Sequence, residues 1–178
     1  LRLNHLRTNN SSPFGRNYDS RLSDIAERIP DVDAERALRE GRTDLRHLPF
    51  VTIDPKTAKD FDDAVCLIEE EGKRTLWVAI ADVAHYIEPE TLLDDEARAR
   101  ATSVYLPHAV LPMLPSRLSD NLCSLRAKVP RLAMTVSMEI ENDCTIGKVA
   151  AFESIIEVQE NLSYEDALDN PKFQNMMD

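Results

Sequence analysis

From Thr52 to Val65 the chain reads T-I-D-P-K-T-A-K-D-F-D-D-A-V, with four carboxylates, Asp54, Asp60, Asp62 and Asp63, inside ten residues. Most acidic runs are solvated turns. This one is bounded by two apolar runs, Phe50 to Ile53 and Ala64 to Ile68, that read as buried strands, so its acids emerge at the ends of ordered elements. Carboxylates brought within ~4 Å of each other repel by about 4 kcal/mol per pair at an effective dielectric near 20. Protonation offsets that repulsion, and so does a hard divalent cation such as Mg²⁺ or Mn²⁺, which takes carboxylate oxygens. At neutral pH the cation is the more useful route. On the residues alone, a solvated acidic turn and a metal site remain open together.

Other chemistries fit less well. A phosphatase of the D-x-D nucleophile type wants its apolar strand to run straight into that motif, whereas here the strand runs into Asp54-Pro55-Lys56. An EF-hand loop wants polar residues and glycine where Ala64 and Val65 stand. A manganese-dependent sugar transferase uses a D-x-D, yet no other nucleotide-sugar feature accompanies it. His5, His47, His85 and His108 have no metal-ligand spacing, and Ser119, Cys123 and Ser124 lack a nucleophile elbow. Chemistry therefore rests on carboxylates and metal.

The elements that position these acids follow from periodicity. Residues 1–18, rich in Asn, Ser, Pro and Gly, read as a linker from a preceding domain. Leu22, Ile25, Ala26 and Ile29 mark a short amphipathic helix between Ser20 and Pro30, and Asp33 to Glu40 a second one ending at Gly41. Ala64 to Ile68 and Leu76 to Ile80 form a hairpin around Gly72, and Asp82 closes its second strand, with a structural role or a place in the acidic cleft both open. Thr91 to Ser103 places acids early and arginines late, as a helix complementing its own dipole does. Val104 to Pro107 and Val110 to Pro115 are extended, and a helix is predicted over Pro115 to Leu125 with Leu118, Leu122 and Leu125 on one side. Leu132, Met134, Val136, Met138 and Ile140 alternate as one strand, a turn leads into another over Lys148 to Val158, and Ser163-x-x-Asp166 has capping-box form ahead of a terminal helix. The fold class expected is α+β, a mainly antiparallel or mixed sheet with flanking helices.

Composition narrows the class. With 178 residues, 43% hydrophobic and 30% charged, the chain can build a proper core, and no run reaches the length of a membrane span. A net charge of −11 argues against polyanion binding over the whole surface, so a nucleic-acid partner needs a local basic track. Three cysteines without C-x-x-C spacing read as reduced thiols, which fits the cytoplasm.

The acidic stretch, together with A-I-A-D-V-A-H-Y-I from Ala79 to Ile87 and V-Y-L-P…L-P-M-L-P-S-R-L-S-D-N-L-C-S-L-R-A from Val104 to Ala127, resembles the catalytic RNB domain of the ribonuclease II and ribonuclease R exoribonucleases. The last stretch is worded more like ribonuclease II, to which the reading leans, and A-D-V-A-H-Y-I more like ribonuclease R. The resemblance covers 19–178 and implies the N-terminal portion of that domain. It implies a processive hydrolase that shortens single-stranded RNA from the 3′ end to nucleoside 5′-monophosphates with Mg²⁺ or Mn²⁺, and neither a DNA nor a membrane partner is expected. Asp54, Asp60 and Asp63 fall on the family's metal-binding acids, Asp62 on the acid needed for turnover, and Tyr105 on the aromatic that stacks on the 3′-terminal base. Taken without the family, Tyr105 serves equally as a packing residue. Lys56, Lys59, Arg98, Arg100, Arg117 and Arg126 are candidate basic positions, each otherwise a solvated or dipole-complementing charge.

Two departures stand out. Ala101 occupies a position where ribonuclease R-like members commonly carry glycine. The family's later active-site arginine and glutamate, its second stacking aromatic and its RNA-binding barrels have no counterpart in this sequence. A catalytically silent RNA-binding or scaffolding module is therefore the alternative to an active nuclease.

Overall fold

The computed structural model describes Tyr18 and residues 20–169, so the linker expected over 1–18 lies outside the described residues except for Tyr18. The described residues divide into two compact units, one made of Tyr18 and 20–30 with Ala84–Ser119, the other of Asp31–Val83 with 120–169.

The second unit carries the sheet. In chain order it contains the helix α2 (Ala34–Arg39) and the strands β1 (Thr43–Asp44), β2 (Val51–Asp54), β3 (Asp63–Glu70) and β4 (Lys73–Ala81). The first unit contributes α1 (Ser20–Glu27), α3 (Leu92–Arg100) and the hairpin of β5 (Val104–Leu106) and β6 (Ala109–Leu111). Back in the second unit come β7 (Pro130–Ile140), β8 (Ile146–Glu157), β9 (Glu160–Ser163) and α4 (Tyr164–Asp169). The seven strands are ordered β1-β8-β7-β4-β3-β2-β9. The pairs β1–β8 and β2–β9 are parallel and the rest antiparallel, which gives the mixed sheet of an α+β fold.

Local chemistry explains the joints. The β3–β4 turn is the two residues Glu71 and Gly72, with φ of 52° and 75°, the mirror-image turn that matches the twist of a hairpin. Asp33 caps α2 by accepting from the Arg36 N–H at 2.9 Å. At α4 the capping box is complete: Asp166 N–H donates to Ser163 Oγ at 3.0 Å, and Ser163 backbone N–H donates to the Asp166 carboxylate at 3.2 Å. In the first unit, Arg100 lies 4.0 Å over the Tyr18 ring and reaches Glu96 at 2.8 Å, tying α3 to its surroundings. Ala101 ends α3 at φ 65°, a left-handed conformation that favours glycine.

Two expectations needed correction. The helix predicted over Pro115 to Leu125 is reduced to a short helical segment with a wide π turn over Leu118–Leu122. Leu118, Leu122 and Leu125 are buried as predicted, but the backbone groups beyond the turn bond elsewhere: Leu125 N–H donates to Phe61 O at 2.8 Å, and the Ser124 carbonyl accepts from Arg131 Nε at 2.9 Å. The predicted strand at Leu132 to Ile140 exists, yet its alternation does not decide its faces. Met134 is exposed beside the equally exposed Ile80 opposite it, while Thr135 is fully buried because its hydroxyl pairs with that of Ser154 at 2.7 Å.

Candidate functional site

The four acids occupy the adjoining ends of two interior strands and the loop that joins them. Asp54 is the last residue of β2 and Asp63 the first of β3, while Asp60 and Asp62 flank Phe61 in the connecting loop. Strand ends place Asp54 and Asp63. The loop acids have no ladder to hold them, so their placement depends on bonds made by the backbone around Phe61.

Those bonds come from the segment after the π turn. The buried Ser124 hydroxyl donates to Lys59 O at 2.7 Å and accepts from the Phe61 N–H at 3.2 Å. Leu125 N–H completes the clamp on Phe61 O, and Ala81 N–H donates to Asp62 O at 2.9 Å. Asp54 is held through its strand. Asn161 of β9 donates to Thr52 Oγ1 at 2.9 Å and to Leu125 O at 3.0 Å, and the Thr52 hydroxyl in turn bonds the Asp54 carboxylate.

Charge at these strand ends is strained. Burial pushes the Asp62 carboxyl above its ordinary value, and the charges of Asp60, Asp63 and Asp54 push it further in the same direction. Asp54 is raised as well, chiefly by burial, with Asp63 and Asp60 adding to it and the Thr52 hydroxyl pulling it back. The four acids thus lie within electrostatic reach of one another. Among the described residues, however, no three acid, cysteine or histidine side chains close into a ready-made metal cage. The donor set is carboxylate oxygen, which suits a hard divalent cation. The nearby Cys123 thiol is pushed up to about 12 by burial and then by Asp62 and Asp82, so it stays protonated at neutral pH without a metal.

The remaining candidates sort by environment. Asp82 forms a buried ion pair with Arg42 at 2.5 Å, and its backbone N–H donates to Leu132 O, so a structural role accounts for it. Tyr105, on the β5–β6 hairpin of the other unit, is 62% exposed. Lys56, Lys59 and Arg126 are exposed, while Arg100 and Arg117 make hydrogen bonds inside their own unit, Arg117 to Ile29 O at 2.8 Å. Ser124, Arg131 and Asn161 carry the acidic loop without having been singled out for that task by sequence. Their only signal is that the first of them falls inside the quoted S-L-R stretch, and residue type cannot reveal which backbone groups a hydroxyl will bridge. No helix among the described residues is long and apolar enough to cross a membrane, which says nothing of β-barrels.

Comparison with known proteins follows the same outline. The family model described as RNB domain matches residues 42–171. Ribonuclease R of Escherichia coli (strain K12) is 43% identical over 147 residues, and that of Chlamydia trachomatis is 42% identical over 153. These alignments cover 82% and 80% of this chain but 18% and 22% of the relatives, so the chain spans about a fifth of their length. Among solved structures, Mycoplasma genitalium RNase R in complex with double-stranded RNA superposes with a TM-score of 0.82 at 33% identity, covering 91% of this chain and 28% of that one. A yeast pseudonuclease shares the fold at 23% identity and a TM-score of 0.69, covering 78% of this chain and 17% of that one.

Proposed function

The chain belongs to the RNB-domain family, and from that premise we propose that it carries the metal-site part of a hydrolytic 3′-to-5′ exoribonuclease that degrades single-stranded RNA processively to nucleoside 5′-monophosphates. One observation supports this reading above the others. Asp54 and Asp62 are raised by burial and by the charges of neighbouring aspartates, while the backbone of the loop that joins β2 to β3 is fixed by the Ser124 hydroxyl, an arrangement that a bound cation would relieve.

In this reading Asp54, Asp60 and Asp63 would hold Mg²⁺ or Mn²⁺, and Asp62 would orient the attacking water. A bound divalent ion supplies charge neutralisation at the scissile phosphate and makes water a stronger nucleophile. Thr52, Ser124 and the backbone around Phe61 keep the carboxylates aimed as the substrate advances. The exposed Tyr105 ring stacks on the terminal base, a contact available to any base, and exposed Lys56, Lys59 and Arg126 offer phosphate contacts. Preference for RNA over DNA then requires contacts to the 2′-hydroxyl. Free Cys66, Cys123 and Cys144 support a reducing, cytoplasmic setting.

A second reading is a catalytically silent RNA-binding or scaffolding module, since one fold hosts different functions. Incubation with 5′-labelled single-stranded RNA and Mg²⁺ separates the two. Ladder-free shortening to a small core, abolished in Asp62→Asn, supports the nuclease; intact RNA with a folded protein supports the silent module.

A further inference from the structure

We propose that Ser124 is a positioning residue of this site, setting the separation of Asp60 and Asp62 by clamping the backbone between them; the inference rests on the nuclease reading above.

The loop between β2 and β3 has no strand pairing of its own between Pro55 and Asp62, and it carries two acids that electrostatics drives apart. A loop held only at its ends would relax under that repulsion. The Ser124 hydroxyl prevents this because a single oxygen both donates and accepts. It gives its proton to Lys59 O at 2.7 Å and takes the Phe61 N–H at 3.2 Å, bridging the peptides on either side of Asp60. The Leu125 N–H then takes Phe61 O at 2.8 Å, fixing the peptide that leads into Asp62. Alanine at position 124 makes neither side-chain bond.

The clamp itself is anchored in the sheet. Arg131 of β7, 5% exposed, donates through Nε to the carbonyls of Asn121 at 3.0 Å and Ser124 at 2.9 Å, and through Nη2 to Asn121 Oδ1 at 2.8 Å. Ser124 N–H adds a bond to Asn121 O at 3.0 Å. A buried guanidinium with its donors directed at carbonyl oxygens holds a turn rigidly, since each carbonyl that lost it would be left unpaired. The path from the sheet interior to the loop acids is therefore β7, Arg131, the 121–124 turn, the Ser124 hydroxyl and the two peptides flanking Asp60.

The test uses the protein as its gene encodes it. Ser124→Ala is expected to weaken binding of Mg²⁺ alone, read by isothermal titration calorimetry, by about ten- to a hundredfold, and to lower kcat on 5′-labelled single-stranded RNA by a similar factor with KM unchanged. Ser124→Cys, which keeps a weak donor and acceptor, recovers part of both. A hydroxyl that only supported the fold would lower the melting temperature and leave Mg²⁺ affinity and kcat of the folded fraction at wild-type values, and that outcome overturns the proposal. So does failure of both variants to fold, which would make Ser124 a determinant of the fold and not of the site. A wild-type protein that binds Mg²⁺ but leaves RNA intact overturns the nuclease reading alone. Wild-type digestion beside an unchanged Mg²⁺ affinity in Ser124→Ala overturns the positioning role alone.

Discussion

Asp54 and Ser163 face each other as paired positions of the parallel strands β2 and β9, and the carboxylates on the two sides of that pairing live in opposite regimes. Beyond Ser163, Asp166 is held below the usual carboxylate range by the Ser163 hydroxyl and backbone N–H. At Asp54 and along the loop to Asp63, burial and mutual repulsion hold Asp54 and Asp62 above it. Both regions combine aspartates with a buried serine. At α4 the serine satisfies the carboxylate, and the result is a helix cap. In the loop, the Ser124 hydroxyl bonds the backbone on either side of Asp60 instead, and Asp54 and Asp62 stay above the ordinary carboxylate range.

The largest effect that separates the two regions is catalytic. Asp62→Asn should reduce RNA shortening by about 10²- to 10⁴-fold, while its metal-free melting temperature equals or exceeds that of the wild type because one repelling charge is gone. A fall in melting temperature with activity retained would erase the distinction. Next, saturating Mg²⁺ at about a hundred times its Kd should stabilise the wild type by roughly 2.7 kcal/mol in thermal melts, an increment that Asp54→Asn and Asp62→Asn lose and Ser163→Ala keeps.

Proton linkage sharpens the contrast with opposite signs. The folded protein holds protons at Asp54 and Asp62 that the unfolded chain has already released, so the stability they contribute is present below the ordinary carboxylate pKa of 3.8 and drains away as pH rises through their raised values. Asp166 and Asp44, the latter lowered to about 2 by its bonds to Arg46, contribute above 3.8 and lose that contribution as pH falls through their lowered values. In metal-free melts an Asp54→Asn, Asp62→Asn double variant should therefore gain on the wild type as pH rises from the carboxylate range toward neutrality, and a parallel pair of curves would contradict this.

Two smaller effects bracket the comparison. Ser163→Ala should cost about 1 kcal/mol by removing the α4 cap, with Mg²⁺ affinity unchanged in calorimetry. Ala101→Gly, at the strained end of α3, should raise stability by about 0.5–1 kcal/mol in chemical denaturation, because glycine adopts the left-handed conformation without a Cβ penalty.

Much of this was legible along the chain because it depends on near neighbours. The hairpin at Gly72, the start of α2 at Asp33, the capping box at Ser163 and the dipole-matched charges of α3 are all set within a few residues, so spacing and residue type suffice. The helix over Pro115 to Leu125 was misjudged where remote partners took its backbone groups, Phe61 through Leu125 and Arg131 through Ser124. The exposure of Met134 and burial of Thr135 reversed a local alternation because Ser154, nineteen positions on, pairs with the Thr135 hydroxyl. β9 escaped notice because its four residues pair with β2, more than a hundred positions earlier.

The sequence by itself determined which acids are present, their spacing within ten residues and the strands that deliver Asp54 and Asp63, together with a family likeness carried by contiguous motifs. Only the tertiary structure decided that a serine sixty-odd positions away would bridge the peptides around Asp60, that Asp82 would be neutralised by Arg42, and that β9 would bring Asn161 to Thr52. The physical reason is one of range. Backbone preference and hydrophobic period act over a few residues, whereas the buried donors and acceptors that fix a carboxylate find their partners only once distant strands have paired.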